Sequence, residues 1–164
     1  MPNASVFTGA DGSISLSSPP GTEGEKAQEV LSAYDMIAVG RVQDVRVEVR
    51  SDVKAYHEIG QRYATELRPG NVNIMGTIGR AYINGAMLKL LLGEAAESRP
   101  AGSWAQPAFN VTLLLENPAN EGVRNTLTLH GVKMDKWVYA VPEDDFVLES
   151  IGFQALYLTV QDEP

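Results

Sequence analysis

Moving a proton takes a histidine or a pair of carboxylates held in different protonation states. The chain offers His57-Glu58 and the run Glu143-Asp144-Asp145. The acidic run follows Val141-Pro142 and precedes an apolar, strand-like segment, which is the setting of a solvated turn. With two histidines and no cysteine, a zinc site would draw most of its ligands from carboxylates, an unusual set, so no metal is expected. The glycines between Gly9 and Gly12 and between Gly70 and Gly79 lack the lysine of a phosphate loop, so no nucleotide cofactor is expected either. No nucleophile elbow surrounds any serine. The residues predict a protein that is not an enzyme.

The elements that would have to carry any site read mainly as strands. From Asp44 to Arg50, charged residues alternate strictly with Val45, Val47 and Val49, which predicts a strand over about 38–53 with one wet and one dry face. Val6 to Leu16 reads as an N-terminal hairpin turning at Asp11-Gly12. A helix follows over about 25–34, opened by a capping box at Thr22 to Glu25, with Ala27, Val30, Leu31 and Tyr34 on one face. A second strand, 61–67, ends in a type II turn at Pro69-Gly70, and a third covers 71–83 with Gly76 and Gly79 marking bulges or close contacts. Asn84 to Gly93 is the clearest helix, capped by Asn84, ended by Gly93 and leucine-rich between them. After a small-residue loop around Trp104 come strands near 109–116, 125–139 and 146–160, the middle one slipping its alternation at Gly131. The expected fold is mainly β: an antiparallel sandwich or barrel of about six to eight strands with a flanking helix.

The 164 residues are the size of one domain, and 1–164 is read as a single unit. The start Met1 to Gly9 has neither a basic segment nor an apolar run, and no window is apolar for long enough to span a membrane, so a cytoplasmic product is expected. On that reading the sequons Asn3-Ala-Ser5 and Asn110-Val-Thr112 are chance matches. A formal net charge of −8 disfavours binding nucleic acid through its phosphates.

The order of several segments resembles the tail tube proteins of long-tailed bacteriophages, which are related to the tubes of contractile injection systems and type VI secretion. The segments are Ser5 to Leu16, Val39 to Val49, His57 to Gly60, Leu67 to Gly70, Gly76 to Ile83, Leu129 to Trp137, and Pro142 to Glu149 with Phe153 to Ala155 after it. The resemblance implies homo-hexameric rings whose strands join into one inner β-barrel. It implies stacking around a tape-measure protein between a baseplate and a tail terminator, with a sheath protein where the tail contracts. DNA would pass through the lumen without specific binding, in a virion tail assembled in the host cytoplasm. If the alternating strand lines the channel, Asp44, Arg46, Glu48 and Arg50 are candidate lumen residues, and an acidic lumen would repel phosphates. Ordinary solubility accounts for the acidity equally well. Phe7, Leu16, Leu31, Tyr34 and Trp104 are candidate subunit contacts, because loops at the ends of such a fold are free to reach outwards.

Two alternatives stay open on the sequence: a baseplate, terminator or secretion-tube component, and a small-ligand-binding β-barrel. A ligand barrel would stay monomeric around an apolar cavity, whereas a tube subunit would assemble.

Overall fold

A computed structural model describes residues 6–36, 38–117 and 122–163, so the Asn3-Ala-Ser5 sequon and the first residue of the N-terminal segment lie outside it. Strands β1 (Gly12–Ser17), β2 (Val42–Tyr56), β3 (Glu66–Ala81), β4 (Phe109–Glu116), β5 (Arg124–Ala140), β6 (Leu148–Ala155) and β7 (Tyr157–Glu163) are joined by helices α1 (Thr22–Tyr34) and α2 (Ala86–Leu92). All strand pairings are antiparallel, in the order β1-β4-β5-β6-β3-β2, with β7 also on β5. The fold is mainly β, a curled antiparallel sheet with flanking helices.

The long strand β5 serves two lobes. Its first part, Arg124 to His130, lies between β4 and β7, and its second, Lys133 to Ala140, pairs with β6. The lobes divide at Gly131. Phe109 faces Val132 and Val111 faces Leu129, so Asn110 is opposed by two residues, the bulge that the slipped alternation predicts. Gly131 has φ +64, and its N–H donates to Asn110 Oδ1 at 3.2 Å. A side chain there would be strained and would also meet Leu156, whose nearest atom lies 2.6 Å from the Cβ position. Leu156 in turn separates β6 from β7 and donates its N–H to His130 O at 2.9 Å. The expected strand over 146–160 is therefore two strands that bend with β5.

The buried face of both lobes carries Phe109, Val111, Leu129, Val132, Met134, Ile151, Phe153, Ile74 and Ile78. Ala27 and Leu31 of α1 join them, with Ala86, Met87 and Leu90 of α2, in one apolar cluster. Full burial of each large side chain contributes about 1.5–3 kcal/mol relative to exposure. Gly76 keeps β3 close to this core: a Cβ there would lie 2.5 Å from Phe153 Cζ and 2.2 Å from Arg46 O. Among the described residues no helix is long and apolar enough to cross a membrane.

Three local expectations are corrected. The N-terminal hairpin is a 3-10 turn, Gly9–Asp11, leading into a single strand. Asp11 accepts the Thr8 N–H through Oδ2 at 2.9 Å, and β1 takes β4 as its partner, from Gly12 opposite Leu115 to Ser17 opposite Asn110. No capping box opens α1: Thr22 is already helical, Gly21 is the N-cap at φ +109, and Gly24 packs so tightly that a Cβ would fall 1.8 Å from Pro19 O. Pro69-Gly70 is not a turn, because β3 runs straight through it. Proline is tolerated there since β6 pairs only with Ile74 to Ala81, leaving that part of β3 with one neighbour, and the pairing with β2 is irregular between Ser51 and Val53. Gly70 fits the irregularity because a Cβ would fall 2.2 Å from Asp52 O.

Candidate assembly surfaces

Beyond the reach of β6, β2 and β3 continue together as an arm paired only with itself, from Ser51 opposite Val72 to Tyr56 opposite Glu66. Every residue from 49 to 73 is exposed. Yet Val49, Val53, Tyr56, Ile59, Tyr63, Leu67 and Val72 are apolar or aromatic, and Ile59 at the tip is 106% exposed. An apolar surface this concentrated marks an interaction site. Val49 thus leaves the core that the alternation assigns it, because the arm departs from the body there. His57 and Glu58 sit in the exposed tip, where Thr65 N–H donates to Tyr56 O at 2.9 Å. Among the described residues no group of three His, Asp or Glu side chains is placed to hold a metal ion. The alternation predicts a strand ending near Val53, but β-formers continue to Tyr56 and resume at Leu67, and β2 runs on to Tyr56.

The opposite end of the same lobe is also apolar. Tyr82, Ile83, Tyr139, Val141, Phe146 and Leu148 are exposed there, with Tyr82 and Trp137 packed against Tyr139 at ring distances of 4.9 and 5.1 Å. Beneath them lies a buried ion pair, Arg80 and Glu149, each residue 2% exposed. Glu149 accepts from Arg80 Nε through Oε1 and from Trp137 Nε1 through Oε2, the latter at 2.8 Å. The acidic run forms the exposed turn between β5 and β6 at this end.

Between the two ends, the outward face of β2, β3, β6 and the second part of β5 carries the alternating charges. Asp44, Arg46, Glu48 and Arg50 lie on it, opposite Gly79, Thr77, Met75 and Asn73 in register. The Met134 to Lys136 bulge adds Asp135 and Lys136, both lying over Gly152. With Lys133, which stands opposite Gln154 on the same side, the face carries three acids and four bases, so the acidic excess of the chain lies off this face. Lys133 at the edge is ion-paired with Glu23 of α1.

Of the expected contact residues, Leu16 and Leu31 are 3% and 2% exposed and belong to the core of their own chain, so in this conformation they present nothing to a neighbour. Phe7 and Tyr34 are half-buried, and Trp104 is 42% exposed in the loop after α2. Trp104 lines a shallow cavity of about 570 Å³ with Ala95, Arg99 and Pro100. The preceding 3-10 turn is tied back to α2 by Lys89 Nζ to Glu97 Oε1 at 2.7 Å, with the ammonium 5.3 Å from the Tyr34 ring centroid. Its bond to Glu97, then that to Tyr34, raises the Lys89 pKa above its ordinary value. The same ammonium lowers that of Glu97.

No family model matches the sequence, and no curated protein matches it significantly. The backbone does find counterparts among solved structures. A chain in the sheath–tube complex of the extracellular contractile injection system PVC matches at TM-score 0.65, covering 98% of this chain and 95% of that one at 10% identity. The tail tube of SPP1 matches at 0.58, covering 96% of this chain and 80% of that one at 13% identity. The chain has the tail tube fold. A chain in the structure of the anti-feeding prophage cap, a tube-terminating cap, shares it, at TM-score 0.65 over 96% of this chain and 92% of that one, with 12% identity. At such identities the likeness is one of backbone, and the side chains that decorate the tail tube fold here are this chain's own.

Proposed function

We propose that the chain is the subunit of a tail tube, a structural and non-enzymatic virion protein acting as one unit over residues 1–164. The observation that carries this reading is the arm, whose apolar side chains have no use in a lone molecule and are matched by an equally apolar surface at the far end of the same lobe. A surface on one end that fits a different surface on the other gives head-to-tail stacking. The lobe's edges support ring closure. Its order is β2-β3-β6-β5 with directions alternating, so a copy rotated about an axis along the strands brings its β2 antiparallel to the neighbour's β5. Six copies, about 24 strands at about 4.8 Å spacing and about 40° tilt, would enclose a backbone barrel roughly 50 Å across.

On this reading Asp44, Arg46, Glu48 and Arg50 face the lumen, and Phe7, Tyr34 and Trp104 remain candidate contacts at the periphery. The rings stack around a tape-measure protein between baseplate and terminator, inside a sheath where the tail contracts. Assembly takes place in the host cytoplasm, and the finished tube conducts the genome during ejection. A terminating cap is the second reading, favoured by the equal TM-scores to chains in the cap structure and in the sheath–tube complex. Exposed apolar surfaces at both ends suit a stacking subunit better, since a cap needs only one.

Replacing Tyr56, Ile59, Tyr63 and Leu67 by serine tests the reading through solution mass and electron microscopy. The variant is expected to keep the fold and stability of the parent, because the side chains are exposed, and to lose ring stacking. Tubes formed as readily by the variant would contradict it.

A further inference from the structure

The exposed face of β2, β3, β6 and the second part of β5 offers four bases, Arg46, Arg50, Lys133 and Lys136, and each is set beside an acid, Lys133 being ion-paired with Glu23 of α1. Arg50 Nη2 is paired with Glu48 Oε1 at 3.1 Å. Arg46 stands between Asp44 and Glu48 on the same side of β2, about 7 Å along the strand from each. Lys136 shares its side of the sheet with Asp135 at the bulge. Two glycines on neighbouring strands make room for these carboxylates. Asp44 Oδ1 lies 2.2 Å from where a Cβ on Gly79 would be, and Asp135 Oδ1 lies 2.9 Å from where one on Gly152 would be. Asp135 is held in place by Gln154 Nε2, which donates to Oδ2 at 2.9 Å. Carboxylates thus stand across the sheet surface next to the bases, and the pairing of Arg50 with Glu48 recurs on the arm in Arg68 and Glu66 at 3.2 Å.

We infer that this face is a charge-compensated surface that withholds its arginines and lysines from polyanions, and that it does so by setting each beside a carboxylate in advance and not by net negative charge. A phosphate gains affinity from a base chiefly by releasing its own counterion. A base already neutralised by a fixed carboxylate offers that gain only if the carboxylate is displaced. Opposite charges closer together than the Debye length of about 8 Å also cancel at the distance of a passing strand. The result is a surface along which a polyphosphate chain neither adheres nor is pushed away. The inference deepens the tube reading in naming the genome as what slides past, but the masking is a property of the single chain.

The test compares two variants of the full chain with the same change in net charge: Asp44→Asn/Glu48→Gln/Asp135→Asn on the face, and Glu143→Gln/Asp144→Asn/Asp145→Asn in the exposed turn. A short mixed-sequence duplex DNA is the probe, titrated at several salt concentrations. Wild type and the turn variant are expected to bind negligibly. The face variant is expected to bind at least about tenfold more tightly at low salt, with a log–log salt slope approaching −0.9 for each base released. Equal gains in both variants, no gain in the face variant, or comparable binding by wild type would each overturn the inference. Should the triple face variant fail to fold, Glu48→Gln alone decides, with a slope near −1 expected from Arg50 and no salt-dependent binding counting against. The solution mass of the same samples reports assembly separately, so failure of the tube reading would not be mistaken for failure of the masking.

Discussion

Removing Glu149 should be among the most damaging single changes to this chain. Its carboxylate is the counter-charge of Arg80, both side chains are almost wholly inaccessible, and it also holds Trp137 Nε1 at 2.8 Å. Among the described residues Arg80 Nη2 has no hydrogen-bond partner, so the guanidinium has no second acceptor to fall back on at that nitrogen. Glu149→Ala leaves a buried cation uncompensated, which costs about 3–5 kcal/mol. That is a large share of the roughly 5–15 kcal/mol expected for a folded domain. With a urea m-value of about 2 kcal/mol/M, the midpoint should fall by about 2 M. The double variant Arg80→Met/Glu149→Leu removes both charges and should recover most of the loss, since an apolar pair of similar volume often replaces a buried ion pair without penalty. Urea unfolding followed by Trp fluorescence and far-UV circular dichroism reads both. A midpoint shift under about 0.3 M for Glu149→Ala, or a double variant as unstable as the single one, would refute the reasoning.

Gly131→Ala should cost about 2 kcal/mol, because alanine is strained at φ +64 and its Cβ meets Leu156; an unchanged urea midpoint would show that the bulge does not depend on glycine. The Lys89–Glu97 contact should hold across the neutral range. Glu97, lowered from 4.5, contributes above that value and loses its contribution as pH falls through its depressed pKa. Lys89, raised from 10.5, contributes below that value and loses its contribution as pH rises through its elevated one. An NMR titration should show the Glu97 carboxyl moving back towards its ordinary value in Lys89→Met, and an unchanged titration would show that the contact is not formed in solution.

Much of the sheet was legible because it rests on local alternation. Phe109 to Glu116 reads as the strand that forms, and the slip at Gly131 identifies the bulge where the lobes divide. What failed depends on partners distant in sequence. Asp11-Gly12 has turn chemistry, but the strand after it is claimed by β4 about a hundred residues later. Pro69-Gly70 fits a turn equally well by composition, and only the short reach of β6 makes a proline acceptable within β3. Leu16 and Leu31 were expected at contacts because they sit in segments that begin in loops, yet their own core absorbs them. Arg80 and Glu149, 69 positions apart, carry no mark in sequence that they meet. The outward placement of Asp44, Arg46, Glu48 and Arg50 follows from their alternation with valine, whereas Lys136 reaches that face beside Asp135 only through a bulge.

Cryo-electron microscopy of the purified chain across a range of concentrations tests the central claim most directly. The account predicts hollow tubes of stacked six-membered rings, with β2 of each copy paired to the second part of β5 in the next and the arm seated on the apolar end of the adjacent ring. Particles that stay monomeric at every concentration, or tubes whose arms project free into solvent, would contradict it.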